Sequence, residues 1–311
     1  MANMVATRDA YGEALKELGE KNNDIVVLDA DLSGSTKTIV FKKAFPERFI
    51  NVGIAEQSLI ATAAGLATAG KIPFASTFAV FASGRAFEII RNSVCYPKLN
   101  VKIAATHAGL TVGEDGATHQ ALEDISIMRS LPNMVVINPA DAVEAKQCIY
   151  RAAEYDGPVY IRLGRSKVPV IFDETYRFEI GKGVELVEGN DVTIIATGIM
   201  VEKALKAAEE LGKEGVSARV INISTIKPID EEIIIKAAKE TKGIVTIEEH
   251  SIIGGLGSAV AEVLVENYPT HLERIGVEDT FGESGDGNKL LEKYGLNEKN
   301  IIDKAKRILS K

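Results

Sequence analysis

Asp24-Ile25-Val26-Val27-Leu28-Asp29-Ala30-Asp31-Leu32-Ser33-Gly34-Ser35 is a short, wholly apolar run that stops abruptly in a polar, glycine-containing loop. Four branched residues in sequence fit a strand buried on both faces, as in a parallel sheet. The loop then lies at the carboxyl end of that strand, where open α/β sheets place their chemistry. Upstream, Thr7 is expected to cap a helix with Asp9 in its first turn and Leu15 and Leu18 on one face. Downstream the alternation repeats. Strand-like pieces are read at 49–53, 72–76, 101–105 and 159–163. Helices are read at 54–69, 86–94 and 140–153, and a polar loop at 106–120. Composition shifts near residue 165. After a stretch containing Pro169, a second α/β pattern begins, with strands at 192–196, 218–223, 243–248 and 272–277 and helices at 201–211, 230–238, 256–266 and 298–308.

The predicted fold class is therefore α/β, with a mostly parallel sheet in a first domain (1–165), a linker (166–184) and a smaller α/β domain (185–311). The 311 residues allow two domains, and 46% hydrophobic with 26% charged residues is the mixture of a globular protein. A net charge of −8 gives no basic excess for nucleic acid, yet leaves room for a few local cations around an anionic substrate. Two cysteines, Cys95 and Cys148, cannot build a disulfide scaffold. With no secretory leader and no apolar run of membrane-spanning length, a cytoplasmic protein is expected.

Several residues stand out for chemistry. Glu56 opens the alanine-rich helix. It either complements the helix dipole or serves as a directed hydrogen-bond partner beside a heteroaromatic group. Phe78 and Phe81, three apart, form core packing or a stacking platform for a flat ring. The segment Thr106 to Gln120 holds two of the four histidines, His107 and His119, with Asp115 and three glycines. It reads as a structural turn or as a substrate pocket of neutral histidines. Its spacing gives little support to a zinc site. Arg8, Arg91, Arg162 and Arg165 are candidate anion contacts. Arg165 lies just past a strand end, where a guanidinium could clamp a phosphate. Gly254-Gly255-Leu256-Gly257 reads as a tight strand-to-helix turn, and Gly285-Asp286-Gly287 lacks a preceding buried strand.

The combination of Asp31 to Ser35, Gly53-Ile54-Ala55-Glu56-Gln57, Thr77-Phe78 with Phe81, the loop 106–120, Ser130-Leu131-Pro132-Asn133, Lys227-Pro228-Ile229-Asp230 and Glu248-Glu249-His250 resembles the transketolase family of thiamine-diphosphate enzymes. The resemblance covers nearly the whole chain and matches the C-terminal subunit of a split enzyme. It implies that Glu56 contacts the aminopyrimidine ring nitrogen and that Phe78 and Phe81 form the ring pocket. It places Asp31 near the cofactor and donor. It further implies that His107, Asp115 and His119 face the sugar, with His107 and His119 joining Glu56 in catalysis, and that Arg8, Ser35 and Arg165 bind the sugar phosphate.

The same resemblance implies a separate N-terminal subunit carrying the diphosphate site with Mg2+ or another divalent cation, no metal ligand in this chain, and an α2β2 assembly. The reaction implied is transfer of a two-carbon ketol unit from a ketose phosphate to an aldose phosphate. Gln57 departs from the histidine common in full-length transketolases and matches deoxyxylulose-phosphate synthases. Thr106-His107, where those synthases carry Asp-Arg, favours transketolase. A 2-oxoacid dehydrogenase beta subunit fits 113–120 poorly, and a non-catalytic regulatory partner does not explain Glu56 and its polar surroundings.

Overall fold

A computed structural model describes residues 3–310, so the outermost domain limits, 1 and 311, lie outside the described residues. The strands in chain order are β1 (Met4–Ala6), β2 (Ile25–Asp29), β3 (Phe49–Asn51), β4 (Ile72–Phe78), β5 (Lys102–Thr106), β6 (Val135–Ile137), β7 (Val159–Arg162) and β8 (Lys167–Pro169). They continue as β9 (Val184–Val187), β10 (Val192–Ala196), β11 (Ala218–Asn222), β12 (Thr225–Lys227), β13 (Ile244–Ser251) and β14 (Leu272–Val277).

One sheet runs β12-β6-β7-β5-β4-β2-β3, parallel except at its β12 edge. A second runs β14-β13-β10-β11-β9, parallel except for β9. Every residue of β2, β5 and β10 is buried, as strands covered by helices on both faces must be. The chain leaves β2 for β3 on one side and returns to β4 on the other. A crevice therefore opens beyond their carboxyl ends.

The structure departs from the sequence expectation in several places. Thr7 does not cap its helix (Thr7–Lys21). It is the first helical residue, and its hydroxyl accepts the Gly164 N–H instead (2.8 Å). The alanine-rich helix begins at Glu56, because Gly53 takes φ +76° and turns the chain before it. The 86–94 region is a short α-turn (Phe87–Ile89) running into a π-helix (Ile90–Cys95). Strands β1, β6 and β12 and the helix Asp124–Arg129 were not anticipated.

Within the expected linker, β8 turns back to pair with β1. The Phe172 and Tyr176 rings stack at 3.9 Å, and Phe178 is buried in the core beneath the first sheet.

The two sheets share structure. β12, from the C-terminal half, completes the edge of the first sheet beside β6. Buried polar groups close the joint. Asp141 accepts the N–H groups of Ile171 (2.6 Å) and Phe172 (2.8 Å), while the Glu144 carboxyl accepts from Tyr176 Oη (2.6 Å) and Asn222 Nδ2 (2.8 Å). The Gly254 to Gly257 turn is filled by the protein itself. Glu248 accepts both Leu256 N–H (2.7 Å) and Gly257 N–H (2.8 Å), so it is a helix entry and not a ligand cradle. In Gly285-Asp286-Gly287, Asp286 caps the helix Gly287–Lys293 through Lys289 N–H.

Candidate active site

Five loops at the carboxyl edge of the first sheet bring the singled-out residues to one region. Asp31 and Ser35 follow β2, Glu56 follows β3, Phe78 and Phe81 end and follow β4, His107 follows β5 and Arg165 follows β7. Arg8 enters from the helix after β1.

At one end Glu56 is 5% exposed although it occupies the first turn of its helix. Its Oε1 accepts from Arg85 Nη1 at 3.1 Å. The guanidinium carbon of Arg85 lies 4.3 Å above the Phe81 ring, a cation–π contact. The Phe81 and Phe78 planes are inclined by 15° with centroids 5.9 Å apart. Phe78 stacks on His107 at 3.9 Å, and His119 meets Phe81 edge-on at 5.5 Å. His107 Nε2 is 3.1 Å from Arg8 Nη1, which also donates to Ser35 O (3.0 Å). The singled-out groups thus form a continuous line from a buried carboxylate, past flat rings, to a guanidinium.

The His107 tautomer follows from its partners. A guanidinium can only donate, so Nε2 accepts and Nδ1 carries the proton toward Thr106 Oγ1 (2.9 Å). Burial, with Arg8, Arg165, His119 and Lys37 nearby, depresses His107 to about 3, so the imidazole is neutral at physiological pH. His107 also sits at φ +58°, a conformation non-glycine residues adopt only under local constraint. Below the loop after β2, Asp29 accepts from Leu32 N–H (2.5 Å), Thr36 Oγ1 (2.7 Å) and Thr38 Oγ1 (2.9 Å), which fixes the curl carrying Ser35.

Asp31 pairs with Asn51 Nδ2 (2.9 Å) at the β2–β3 end of the crevice. Arg165 does not present a free fork. Its Nη1 donates to Val112 O and lies 3.4 Å from Asp115 and 3.6 Å from Glu114. Ser35 meets Arg8 through its carbonyl and not its hydroxyl. Arg162 is structural: it is buried and ion-paired with Asp124 (2.8 Å). Sequence reasoning missed Arg85. Its signal was weak, an arginine four residues beyond Phe81 and just ahead of the helix read at 86–94. Asp29 was quoted only as part of the loop.

The residues fit the ring end of thiamine diphosphate. A depression of about 510 Å³ is lined by Ile54, Ala55, Glu56, Gln57, Ser58 and Arg85, with a buried acceptor at its wall and aromatic rings adjoining through Arg85. Among the described residues, no three His, Cys, Asp or Glu side chains group to hold a metal ion. No helix of the described residues is long and apolar enough to cross a membrane.

Comparison with known proteins identifies the family of both domains. The family model "Transketolase, pyrimidine binding domain" matches residues 3–170, and "Transketolase, C-terminal domain" matches residues 181–301. A putative transketolase C-terminal section from Methanocaldococcus jannaschii is 59% identical over 305 residues, covering 97% of this chain and 95% of the relative. A solved structure described as a split gene transketolase, inactive beta4 tetramer, superposes with a TM-score of 0.93 at 61% identity, covering 98% of this chain and 99% of that one. Transketolase from Campylobacter jejuni superposes with a TM-score of 0.85 at 26% identity; all of this chain is covered, but only 47% of that protein. Matched along both of its domains, the chain belongs to the thiamine-diphosphate-dependent transketolase family and corresponds to its C-terminal section.

Proposed function

We propose that this chain is one half of a two-chain transketolase that moves a two-carbon ketol unit from a ketose phosphate to an aldose phosphate. The observation that carries the reading is the unbroken line Glu56–Arg85–Phe81–Phe78–His107–Arg8. Glu56 holds a proton at the aminopyrimidine ring nitrogen of thiamine diphosphate. Phe78 and Phe81 fix the ring plane, and Asp31 faces the cofactor and donor. Bound thiamine diphosphate supplies the nucleophilic carbon and accepts the electron pair of the broken C–C bond.

Neutral His107, with His119 and Asp115, faces the sugar hydroxyls and the developing oxyanion. A phosphate entering between Arg8 and Arg165 exchanges their present contacts with Ser35 O, Val112 O and Asp115 for charge-assisted hydrogen bonds, with Ser35 at the same end. Glu56, His107 and His119 are the catalytic set.

The diphosphate and its Mg2+, or another divalent cation, are held mainly by a separate N-terminal subunit, in an α2β2 assembly working in the cytoplasm. Its domain frame is a pyrimidine-binding unit at 1–165, a linker at 166–184 and a C-terminal unit at 185–311. Copurification from the native cell, with mass identification of the companion chain, tests the split. Recovery of a chain carrying a metal–diphosphate motif supports it, and recovery of this chain with copies of itself alone contradicts it. Assays with phosphorylated ketose donors and aldose acceptors then define the reacting pair.

A further inference from the structure

The loop 106–120 carries His107, Asp115 and His119, and its own domain is not all that holds it. Glu249, on β13 of the C-terminal domain, accepts the Thr111 N–H through Oε1 at 2.6 Å. Gly109 (φ +82°) presses on the same carboxylate, and a Cβ there would come within 2.3 Å of Glu249 Cδ. The Thr111 carbonyl accepts from Ser166 Oγ (3.2 Å), so the backbone is fastened on both sides of the Thr111 Cα.

The next residue, Val112, offers its carbonyl to Arg165. Farther along, Gly285 N–H donates to Gly113 O (3.4 Å), and Gln120 Nε2 bridges Leu110 O (3.1 Å) and Glu283 O (2.9 Å). Glu249 is itself anchored. Its backbone carbonyl accepts from Arg162 Nη2 (2.9 Å), whose Nε pairs with buried Asp124. The Glu249 residue is 4% exposed, so water does not substitute for it.

We infer that Glu249 is a positioning residue supplied by the C-terminal domain, setting the backbone at 109–113 and through it the stance of His107, Asp115 and Arg165 over the substrate. The inference rests on the reading of this loop as substrate-facing. Glu249 touches neither the rings nor Glu56, so its removal disturbs the sugar end and spares the ring end. The C-terminal domain therefore takes part in building the site as well as in assembly.

The test uses the two-chain enzyme with Glu249→Ala, Glu249→Gln, Gly109→Ala and His107→Ala. Glu249→Ala should leave thiamine diphosphate affinity unchanged while kcat/KM for sugar phosphates falls roughly 10- to 100-fold, the size expected for a small misplacement of reacting groups. Amide hydrogen exchange across 107–115 should quicken. Glu249→Gln, which keeps an acceptor oxygen, should restore both. Gly109→Ala, pushing on the carboxylate from the other side, should reproduce the loss and combine with Glu249→Ala less than additively. If Glu249→Ala does not fold, Glu249→Asp takes its place, withdrawing the carboxylate while keeping its charge.

His107→Ala separates the two claims. Normal turnover by that variant would overturn the substrate-facing reading itself. Loss of turnover there, with Glu249→Ala fully active, with Glu249→Gln as impaired as Glu249→Ala, or with cofactor affinity falling in step with kcat/KM, would overturn the positioning role alone.

Discussion

Replacing Glu144 with glutamine should make the stability difference between variant and wild type change sign with pH. Glu144 lies at the joint between the sheets and is completely buried. Its carboxyl accepts from Ala140 N–H (2.7 Å), Tyr176 Oη (2.6 Å) and Asn222 Nδ2 (2.8 Å). Burial raises the group to about 7 from an ordinary 4.5; the hydrogen bonds from Tyr176 and the Ala140 N–H oppose the rise and neighbouring Asp141 adds to it.

The folded state thus binds this proton more tightly than the unfolded state does. The group's contribution is fully present below pH 4.5, is lost as pH rises from 4.5 to 7, and is constant above 7. A gap of that width is worth about 3 kcal/mol. Glutamine keeps the shape and one acceptor but turns an amide toward groups that donate, a cost of about 1–2 kcal/mol. The variant should therefore be less stable than wild type by about 1–2 kcal/mol at pH 4 and more stable by a similar amount at pH 8. At about 2 °C per kcal/mol for a chain of this size, the Tm difference should swing by about 6 °C. Paired thermal melts across that range measure it. A difference that stays constant with pH, or swings the other way, refutes the reasoning.

Glu56→Gln should preserve the fold and some cofactor binding in the two-chain assembly but slow exchange of the cofactor's C2 proton, read by NMR; equal exchange in two folded samples would remove Glu56 from its role. Arg165→Ala should lower kcat/KM for phosphorylated donors much more than for unphosphorylated ones, because a charge-assisted clamp disappears. An equal loss for both would make Arg165 a support of the Val112 carbonyl only.

The parts of the fold legible in the sequence were those with strong periodicity. Val192–Ala196 lies where its apolar run placed it. Three-residue strands carry no period, and their formation is decided by a distant partner. β1 exists because β8 returns to it, and β12 because the edge of β6 is open. Thr7 shows the same limit. A hydroxyl before a helix is a capping signal, yet Gly164, far away in sequence, claims it.

In the site, glutamate, phenylalanine and histidine types suggested their chemistry. Their meeting depended on strand order, which no local pattern reveals. Arg85 was invisible because its value comes from two neighbours, Glu56 and Phe81, that converge only in the fold. Glu249 was legible only as a motif member, since its contact with Thr111 spans 138 residues of sequence.

The central claim is that this chain holds the ring side of the cofactor and needs another chain for the diphosphate. The most direct measurement follows ketol transfer from xylulose 5-phosphate to ribose 5-phosphate by rigorously purified chain with Mg2+ and thiamine diphosphate, before and after addition of the candidate N-terminal subunit. The account predicts no turnover before the addition and sustained turnover after it. Sustained turnover by the isolated chain, or none with a folded and bound partner present, would contradict it.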